Sequence, residues 1–294
     1  MTTHIPVLIK EVLQYLDVKS NENFIDCTVG EGGHTKLLLE KNGPEGKVMG
    51  IDLDASQIEN SALSMGAQER VILVNDSYAN IKNIAERTNF APVHGILLDL
   101  GMSSWQLEKS ARGFSFLRDE GLDMRYSLKG HLTAEKIVNE YPESEIERIL
   151  REYGEERFSR QIATRISQAR QSKRIKSTFE LRSIIQGAIP AMFSHGKIHV
   201  ATRTFQALRI AVNKELDNLA AFLPQAVSLL YPGGRLTVMS FHSLEDRMVK
   251  NFFKEQERQG AIKVLTKKPV TASEQEVQQN PRARSTKLRA IIKI

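Results

Sequence analysis

The first hundred residues alternate short apolar runs with stretches of helical periodicity. Apolar runs of this length, bounded by turn residues, are typical of strands buried in a parallel sheet. Helical patterns between the runs are typical of a doubly wound α/β fold. The predicted strands are 24–29, 46–53 (ending near Asp52), 70–76 and 95–100.

The alternation stops after the fourth strand. Residues 105–200 are helical or irregular, with amphipathic helices predicted at 133–141, 143–153, 155–170 and 178–189. A long helical stretch, 201–230, is expected to bend at Pro224 and to lead into a fifth strand, 233–241. Edge strands are predicted at 261–266 and 287–294, with a polar, mobile loop at 267–284. We therefore expect an α/β core, 1–106 and 206–294, with a helical insertion, 107–205.

A glycine turn follows the first strand. Gly32, Gly33 and His34 stand between that strand and a helix, in the place where doubly wound sheets hold a phosphate or a nucleoside. The spacing is not GxGxxG, so a nucleoside bearing a sulfonium fits as well as a pyrophosphate. Asp52 follows about 20 residues later at a strand tip, where a carboxylate accepts from both ribose hydroxyls. Asp54, two residues on, is predicted to cap the next helix.

Two further residues are expected at the same rim. Asp99 ends the fourth strand, and Tyr78 follows the third. The Tyr78 ring either packs on an adenine or closes the core.

Composition narrows the class of protein. The chain has 41 Lys plus Arg against 35 Asp plus Glu, for a net charge of +6, which favours a polyanionic partner. Cys27 is the only cysteine, so a disulfide framework is excluded and no zinc or other structural metal is predicted. The sequence shows no signal peptide and no apolar run long enough for a membrane span. A cytosolic protein without membrane association is expected.

Three functions compete on these residues. A nicotinamide dehydrogenase requires a GxGxxG turn and a proton donor, which the pattern lacks. A non-catalytic RNA-binding assembly factor agrees with the basic charge and leaves the acidic rim unexplained. A methyltransferase using S-adenosylmethionine requires a glycine turn, an acidic residue that contacts the ribose and a second acidic residue at the fourth strand tip. The sequence contains all three.

Several longer sequence motifs resemble those of one protein family. They are similar to the RsmH (MraW) family, the 16S rRNA cytosine-N(4) methyltransferases, in family order over nearly the whole chain. The chain departs from the family pattern at Trp105, Gly121 and Val200, all in or beside the insertion. The matching strings are DCTVGEGGH (26–34), GIDLDA (50–55), LLDLGMSSWQL (97–107), RGFSF (112–116), LDMR (122–125), YGEERF (153–158), ATRTFQALRIAVNKEL (201–216), PGGRLTVMSFHSLEDR (232–247) and NPRARSTKLR (280–289).

The resemblance implies a class I S-adenosylmethionine-dependent methyltransferase fold and methylation of a cytosine N(4) in the decoding region of 16S rRNA. It implies RNA recognition by the insertion, and a substrate that is the small subunit or a late precursor. A homodimer is one expectation for its assembly. The cofactor contacts that it carries over are Gly32, Gly33, His34, Asp52, Tyr78, Asp99 and Gln106.

The substrate side is predicted from chemistry. The lone pair of a cytosine amine is delocalised, so an acceptor for its N–H is needed: Asp99, or a carbonyl within 100–104, a stretch that includes Ser103 and Ser104. An everted base needs stacking faces, for which Phe114, Phe116 and Phe241 are candidates, each equally readable as core. His242 is a candidate for ordering the pocket, unless Ser243 simply caps the following helix with Asp246. Phosphate contacts are predicted for Arg112, Arg125, Arg203, Arg209, Arg282 and Arg284.

Overall fold

The computed structural model describes residues 6–66, 69–193 and 199–294. The chain divides into two compact units: unit 1, Met1–Gly101 with Leu216–Ile294, and unit 2, Met102–Glu215. Residue 205, the end of the predicted insertion, lies inside a helix of unit 2. Among the described helices, none combines the length and apolarity needed to cross a bilayer.

Unit 1 is built on one sheet of seven strands in the described part of the chain. Its order is β3-β2-β1-β4-β5-β7-β6, and β7 is antiparallel to both of its neighbours while the other pairs are parallel. This topology confirms the predicted doubly wound α/β class. The strands are β1 (Phe24–Asp26), β2 (Val48–Asp52), β3 (Val71–Asn75), β4 (Val93–Asp99), β5 (Leu230–Ser240), β6 (Ile262–Val264) and β7 (Lys287–Lys293).

Helices cover both faces of this sheet. The central strands are therefore largely apolar up to the aspartate that ends each of them, as the runs in the sequence predict. One core includes Ile96, Phe222 and Phe253, and a second includes Leu16, Phe24 and Leu38. The helices outside unit 2 are α1 (Ile9–Leu16), α2 (Gly33–Lys41), α3 (Ala55–Met65), α4 (Ile81–Arg87), α11 (Glu215–Leu229), α12 (Ser243–Arg258) and α13 (Glu274–Gln279).

Unit 2 is helical with its own core. Ile146, Ile162, Leu181 and Leu208, from four successive helices, are fully buried together. Its described helices are α5 (Ser104–Glu108), α6 (Ala134–Glu140), α7 (Glu143–Gly154), α8 (Ser159–Ser172), α9 (Thr178–Ala188) and α10 (Thr202–Asn213).

The predicted bend at Pro224 is wrong. The long helical stretch breaks at Lys214, which adopts the left-handed conformation with φ 50°, and Pro224 lies inside α11. Proline removes the partner of the carbonyl four residues earlier. That residue, Ala220, is exposed, so water can replace the missing donor.

The expected mobile loop at 267–284 is also wrong. Ser273 caps α13 by accepting from Glu276 N–H, and Glu276 Oε1 accepts from Leu8 N–H at 2.7 Å. Val270 pairs with Leu288 across an isolated bridge. Local caps and distant partners order this polar segment.

Candidate functional site

Three carboxylates end three adjacent strands of unit 1. Asp26 is the last residue of β1, Asp52 of β2 and Asp99 of β4. The strand order reverses between β1 and β4, and ligands of open α/β sheets bind outside the carboxyl ends of the strands at such a point. The structure therefore brings Asp52 and Asp99 to one rim, together with Asp26, which the sequence analysis did not select.

Asp26 is the most deeply buried of the three. Its Oδ2 accepts from the Thr35 hydroxyl at 2.7 Å, and its Oδ1 accepts from Thr28 N–H at 3.2 Å. Burial raises its pKa to about 6, against an ordinary value of 3.8, although both hydrogen bonds act in the other direction. Its place inside the DCTVGEGGH string, at the end of a strand, was the available signal.

Asp52 organises the glycine turn. Its Oδ2 accepts from Gly30 N–H and its Oδ1 from Asp54 N–H, each at 2.9 Å. Each oxygen keeps a second lone pair with which it can accept from a ligand hydroxyl. Burial raises the pKa of Asp52 to about 7, with contributions from the charges of Asp54 and Asp26.

Asp99 is held in a similar way. Its Oδ1 accepts from Gly101 N–H at 3.1 Å, and its own N–H donates to the Thr28 hydroxyl at 2.8 Å. His34 Nε2 lies 3.7 Å from the Asp99 Oδ2. Burial raises the pKa of Asp99 to about 7, with contributions from the charges of Asp26 and Glu245.

The electrostatics of this rim favour a cationic ligand. Burial raises the pKa of all three carboxyls, and the negative charge of Asp26 contributes to the raised pKa of both Asp52 and Asp99, so their ionised forms are costly without a cation nearby. S-adenosylmethionine carries an ammonium and a sulfonium, and its ribose offers two hydroxyl donors. The residues present therefore fit this group, with Asp52 as the ribose acceptor.

The glycines of the turn have different reasons to be glycine. Gly30 and Gly32 have positive φ, 50° and 82°, which side chains rarely adopt. A Cβ on Gly33 would lie 2.3 Å from Pro6 Cγ, so its small size serves packing. Gly30, whose N–H bonds Asp52, was not among the predicted contacts.

Tyr78 begins a short 3₁₀ turn after β3. Its ring meets Phe222 edge to face at 5.5 Å and packs against the core while staying half-buried. This contact supplies the core-closing role, and adenine contact stays a prediction.

The other predicted residues of unit 1 follow β5 or precede β7. The Phe241 ring covers Gly101, where a Cβ would lie 2.9 Å from it. His242, and not Ser243 as one alternative had it, is the N-cap of α12, in a capping box with Glu245. Arg284 is exposed and Arg282 half-buried, both in the 3₁₀ turn Pro281–Ser285.

Unit 2 holds Ser103, Ser104 and Gln106 at the start of α5. Ser103 Oγ accepts from Gln106 N–H, and Gln106 Oε1 accepts from Ser103 N–H, each at 3.1 Å. Gln106 is thus a capping-box partner, and Ser104 is the first helical residue. Their ligand roles stay predictions.

Two of the phenylalanines proposed as stacking faces also lie in unit 2. Phe114 is buried and stacks on Tyr126 at 5.3 Å, so its ring belongs to the core. Phe116 is half-buried and stacks on His199 at 4.7 Å. Of the two, Phe116 alone keeps some exposed surface.

All four predicted phosphate-binding arginines of unit 2 have acceptors within that unit. Arg112 donates to the carbonyls of Arg125 and Tyr126, Arg125 pairs with Asp123, and Arg209 forms a bidentate pair with Glu215. Arg203 is exposed and donates to the Glu155 carbonyl at 3.2 Å. Arg203 is therefore better placed than the other three to meet a phosphate.

Comparison with known proteins places these features in one family. The model of the MraW methylase family matches residues 1–294. The chain is 44% identical to ribosomal RNA small subunit methyltransferase H of Dehalococcoides mccartyi strain BAV1, over 99% of this chain and 86% of that one. It is 44% identical to the protein of the same name from Clostridium botulinum strain Kyoto, over 99% of each. A solved rRNA methylase of Streptococcus thermophilus is 11% identical over 99% of each chain, with a TM-score of 0.46.

Proposed function

This chain belongs to the MraW methylase family, and we propose that it transfers the methyl group of S-adenosylmethionine to the N(4) amine of a cytosine in the decoding region of 16S rRNA. Family membership and relatives named ribosomal RNA small subunit methyltransferase H support the reaction class and the RNA. The base, the atom and the decoding region are the finer part of the proposal.

One observation carries the cofactor assignment. Asp26, Asp52 and Asp99 end adjacent strands at the point where the strand order reverses, and burial raises the pKa of each. A cationic nucleoside matches both the position and the charge of this rim. S-adenosylmethionine supplies a methyl group made electrophilic by its sulfonium, which leaves as a neutral thioether.

Different residues of unit 1 have different roles in binding the cofactor. Asp52 accepts from the ribose, and its bonds to Gly30 and Asp54 fix its orientation before the ligand arrives. Asp26 fixes Thr35 in the first turn of α2 and Thr28 after β1. Thr28 in turn fixes the backbone of Asp99. Preorganisation of this kind lets binding energy go into alignment of the reacting atoms.

Asp99 is our candidate for activating the cytosine. A carboxylate that accepts the amine N–H localises the nitrogen lone pair as the new bond to carbon forms, and it can take the proton that the amine loses. A pKa raised to about 7 suits an acceptor of this kind near neutral pH. The second role open to Asp99 is cofactor contact.

The charge distribution supports an RNA substrate. Of the 41 basic and 35 acidic residues, 20 and 14 lie in Met102–Glu215, whereas the rest of the chain carries 21 of each. The whole net charge of +6 therefore belongs to the helical unit. We assign RNA recognition to that unit, with a small subunit or late precursor as the substrate.

The test is methyl transfer from tritium-labelled S-adenosylmethionine to small subunits from a strain lacking this protein, followed by mass mapping of the RNA. We expect one labelled cytosine, and loss of transfer with retained cofactor binding in Asp99→Asn. Cofactor binding without transfer to free RNA, precursor or subunit would contradict the proposal. Sedimentation of the wild-type protein tests the predicted homodimer.

A further inference from the structure

An exposed cluster on unit 2 combines two aromatic rings with an arginine. We name it the Arg157 platform: Arg157, Phe158, Met192 and Phe193. The Arg157 guanidinium carbon lies 5.6 Å from the centroid of Phe158 and 5.0 Å from that of Phe193, and the two rings are 5.2 Å apart. Met192 is 78% exposed and Phe193 38% exposed.

Within the described part of the chain, the Arg157 side chain has no carboxylate partner. Among the described residues its contacts are the two rings, with no ion pair or hydrogen bond. By contrast, exposed Arg151 lies 3.6 Å from both Glu147 and Glu152, and Arg174 pairs with Glu135 and Glu140. A stacked guanidinium keeps its in-plane N–H donors available to an acceptor.

The platform continues into an unusually basic stretch. Residues 157–176 contain seven Lys and Arg and no Asp or Glu. On α8 the side chains of Arg160 and Arg165 are exposed and, within the described chain, have no acidic partner. The neighbouring helix α7 is acidic and neutralises its own arginines. The helix that follows Phe158 in the chain thus adds unneutralised positive charge.

We propose that the Arg157 platform binds a single-stranded stretch of RNA flanking the target cytosine, with Phe193 stacking on a base and Arg157 contacting the adjacent phosphate. Aromatic faces and arginine planes are what proteins use to hold unstacked bases. When the target base leaves its stack, the adjacent bases lose a stacking partner, and a protein contact can hold them in place. Charge complementarity favours RNA over a second copy of the chain, whose platform would carry the same positive charge. The inference rests on the proposed function, since it names where that function's RNA is held.

The variants Phe193→Leu and Arg157→Lys test the platform while keeping apolar volume and charge. Filter binding to unmodified small subunits, without S-adenosylmethionine, is expected to weaken about tenfold for each. The KM for the subunit should rise similarly, while kcat and the Kd for S-adenosylmethionine stay at wild-type values. Arg151→Lys is the matched control and should change none of these quantities.

Unchanged subunit binding in Phe193→Leu would overturn the inference. So would a change of oligomeric state in sedimentation equilibrium, because the platform would then be an interface between copies. If the wild type binds subunits without methylating them, the proposed function fails, and the binding comparison still decides the platform.

Discussion

At the scale of single residues, we expect cofactor affinity to depend most directly on Asp52. Asp52→Asn replaces one carboxylate oxygen, which accepts a backbone N–H, with an amide NH₂ group that cannot accept a hydrogen bond. Hydrogen bonds to charged groups contribute roughly 1.5–3 kcal/mol, so we expect the Kd for S-adenosylmethionine to rise about tenfold or more by calorimetry.

Asp54→Asn is the control for that substitution. Asp54 caps α3 by accepting from Ser56 N–H, and asparagine caps helices as well as aspartate does. Its Kd should stay near that of the wild type. Equal losses in both variants would mean that loop distortion, and not the ribose acceptor, controls binding.

The three rim carboxyls make apoprotein stability depend on pH. Their folded pKa values, about 6 for Asp26 and about 7 for Asp52 and Asp99, lie above the ordinary 3.8. Between about pH 4 and 7 the folded state holds protons that the unfolded chain has released. The contribution of these groups is therefore largest at the acid end of that window, and it is lost as pH rises through about 7.

Asp99→Asn cannot ionise, so its melting temperature should depend less on pH than that of the wild type. Scanning calorimetry of the apoprotein from pH 5 to 8 should show the variant melting higher than the wild type at pH 8. Asp217→Asn removes a carboxyl from an exposed position of α11 and should keep the wild-type slope. A slope that Asp99→Asn leaves unaltered would assign the pH dependence to other groups.

At the scale of elements, the N-terminus of α12 fixes the loop that follows β5. Glu245 is buried, its Oε2 accepts from Phe241 N–H at 2.9 Å, and it completes the capping box with His242. Glu245→Ala leaves these donors unsatisfied and should lower the free energy of unfolding by about 1–3 kcal/mol in urea titrations.

Glu255→Ala on the same helix provides the comparison for that loss. Glu255 pairs with Arg258 in solvent, 2.7 Å apart, and exposed ion pairs contribute little to stability because water and salt screen them. A Glu245→Ala loss no larger than that of Glu255→Ala would show that the capping box adds little.

The central strands β1, β2 and β4 could be predicted from the sequence because burial on both faces makes each one a largely apolar run. Asp52 and Asp99 could be placed at strand tips for the same reason. The helix ends could not, because conformations at single residues decide them: Glu155, with φ 47°, ends α7, and the helix predicted from 155 starts at Ser159.

Contacts distant in sequence account for most of what the sequence left open at the site. In the sequence, Asp26 appears as one more residue of an apolar strand. The structure shows that its carboxylate accepts hydrogen bonds from Thr28 and Thr35. In the sequence, Arg112 appears as a surface cation. The structure shows that it donates hydrogen bonds to the carbonyls of Arg125 and Tyr126. Likewise, the sequence does not show that Pro6 lies against Gly33, and ligand contact by Gly33 stays a prediction.

At the scale of the whole molecule, cofactor and RNA binding should respond differently to salt. We expect the cofactor to meet the rim carboxylates of unit 1, which salt screens weakly, and RNA to meet exposed charge, carried in net only by unit 2. Neutralising phosphates releases counterions, so log affinity for single strands falls with log salt by about 0.7 per contact. Affinity for the small ribosomal subunit should therefore fall steeply between about 50 and 200 mM salt, while affinity for the cofactor changes little.

Two triple variants locate the charges that matter. Replacing Arg157, Arg160 and Arg165 of unit 2 by glutamine should reduce the salt slope by about 2, since each arginine contributes about 0.7. Replacing Lys250, Lys254 and Lys263 of unit 1, which are equally exposed, changes the net charge by the same amount. If long-range attraction by the net charge governs the salt response, both variants lose the same slope. If contacts by Arg157 and the arginines of α8 govern it, only the first variant loses slope. We expect the latter result from filter binding across a salt series.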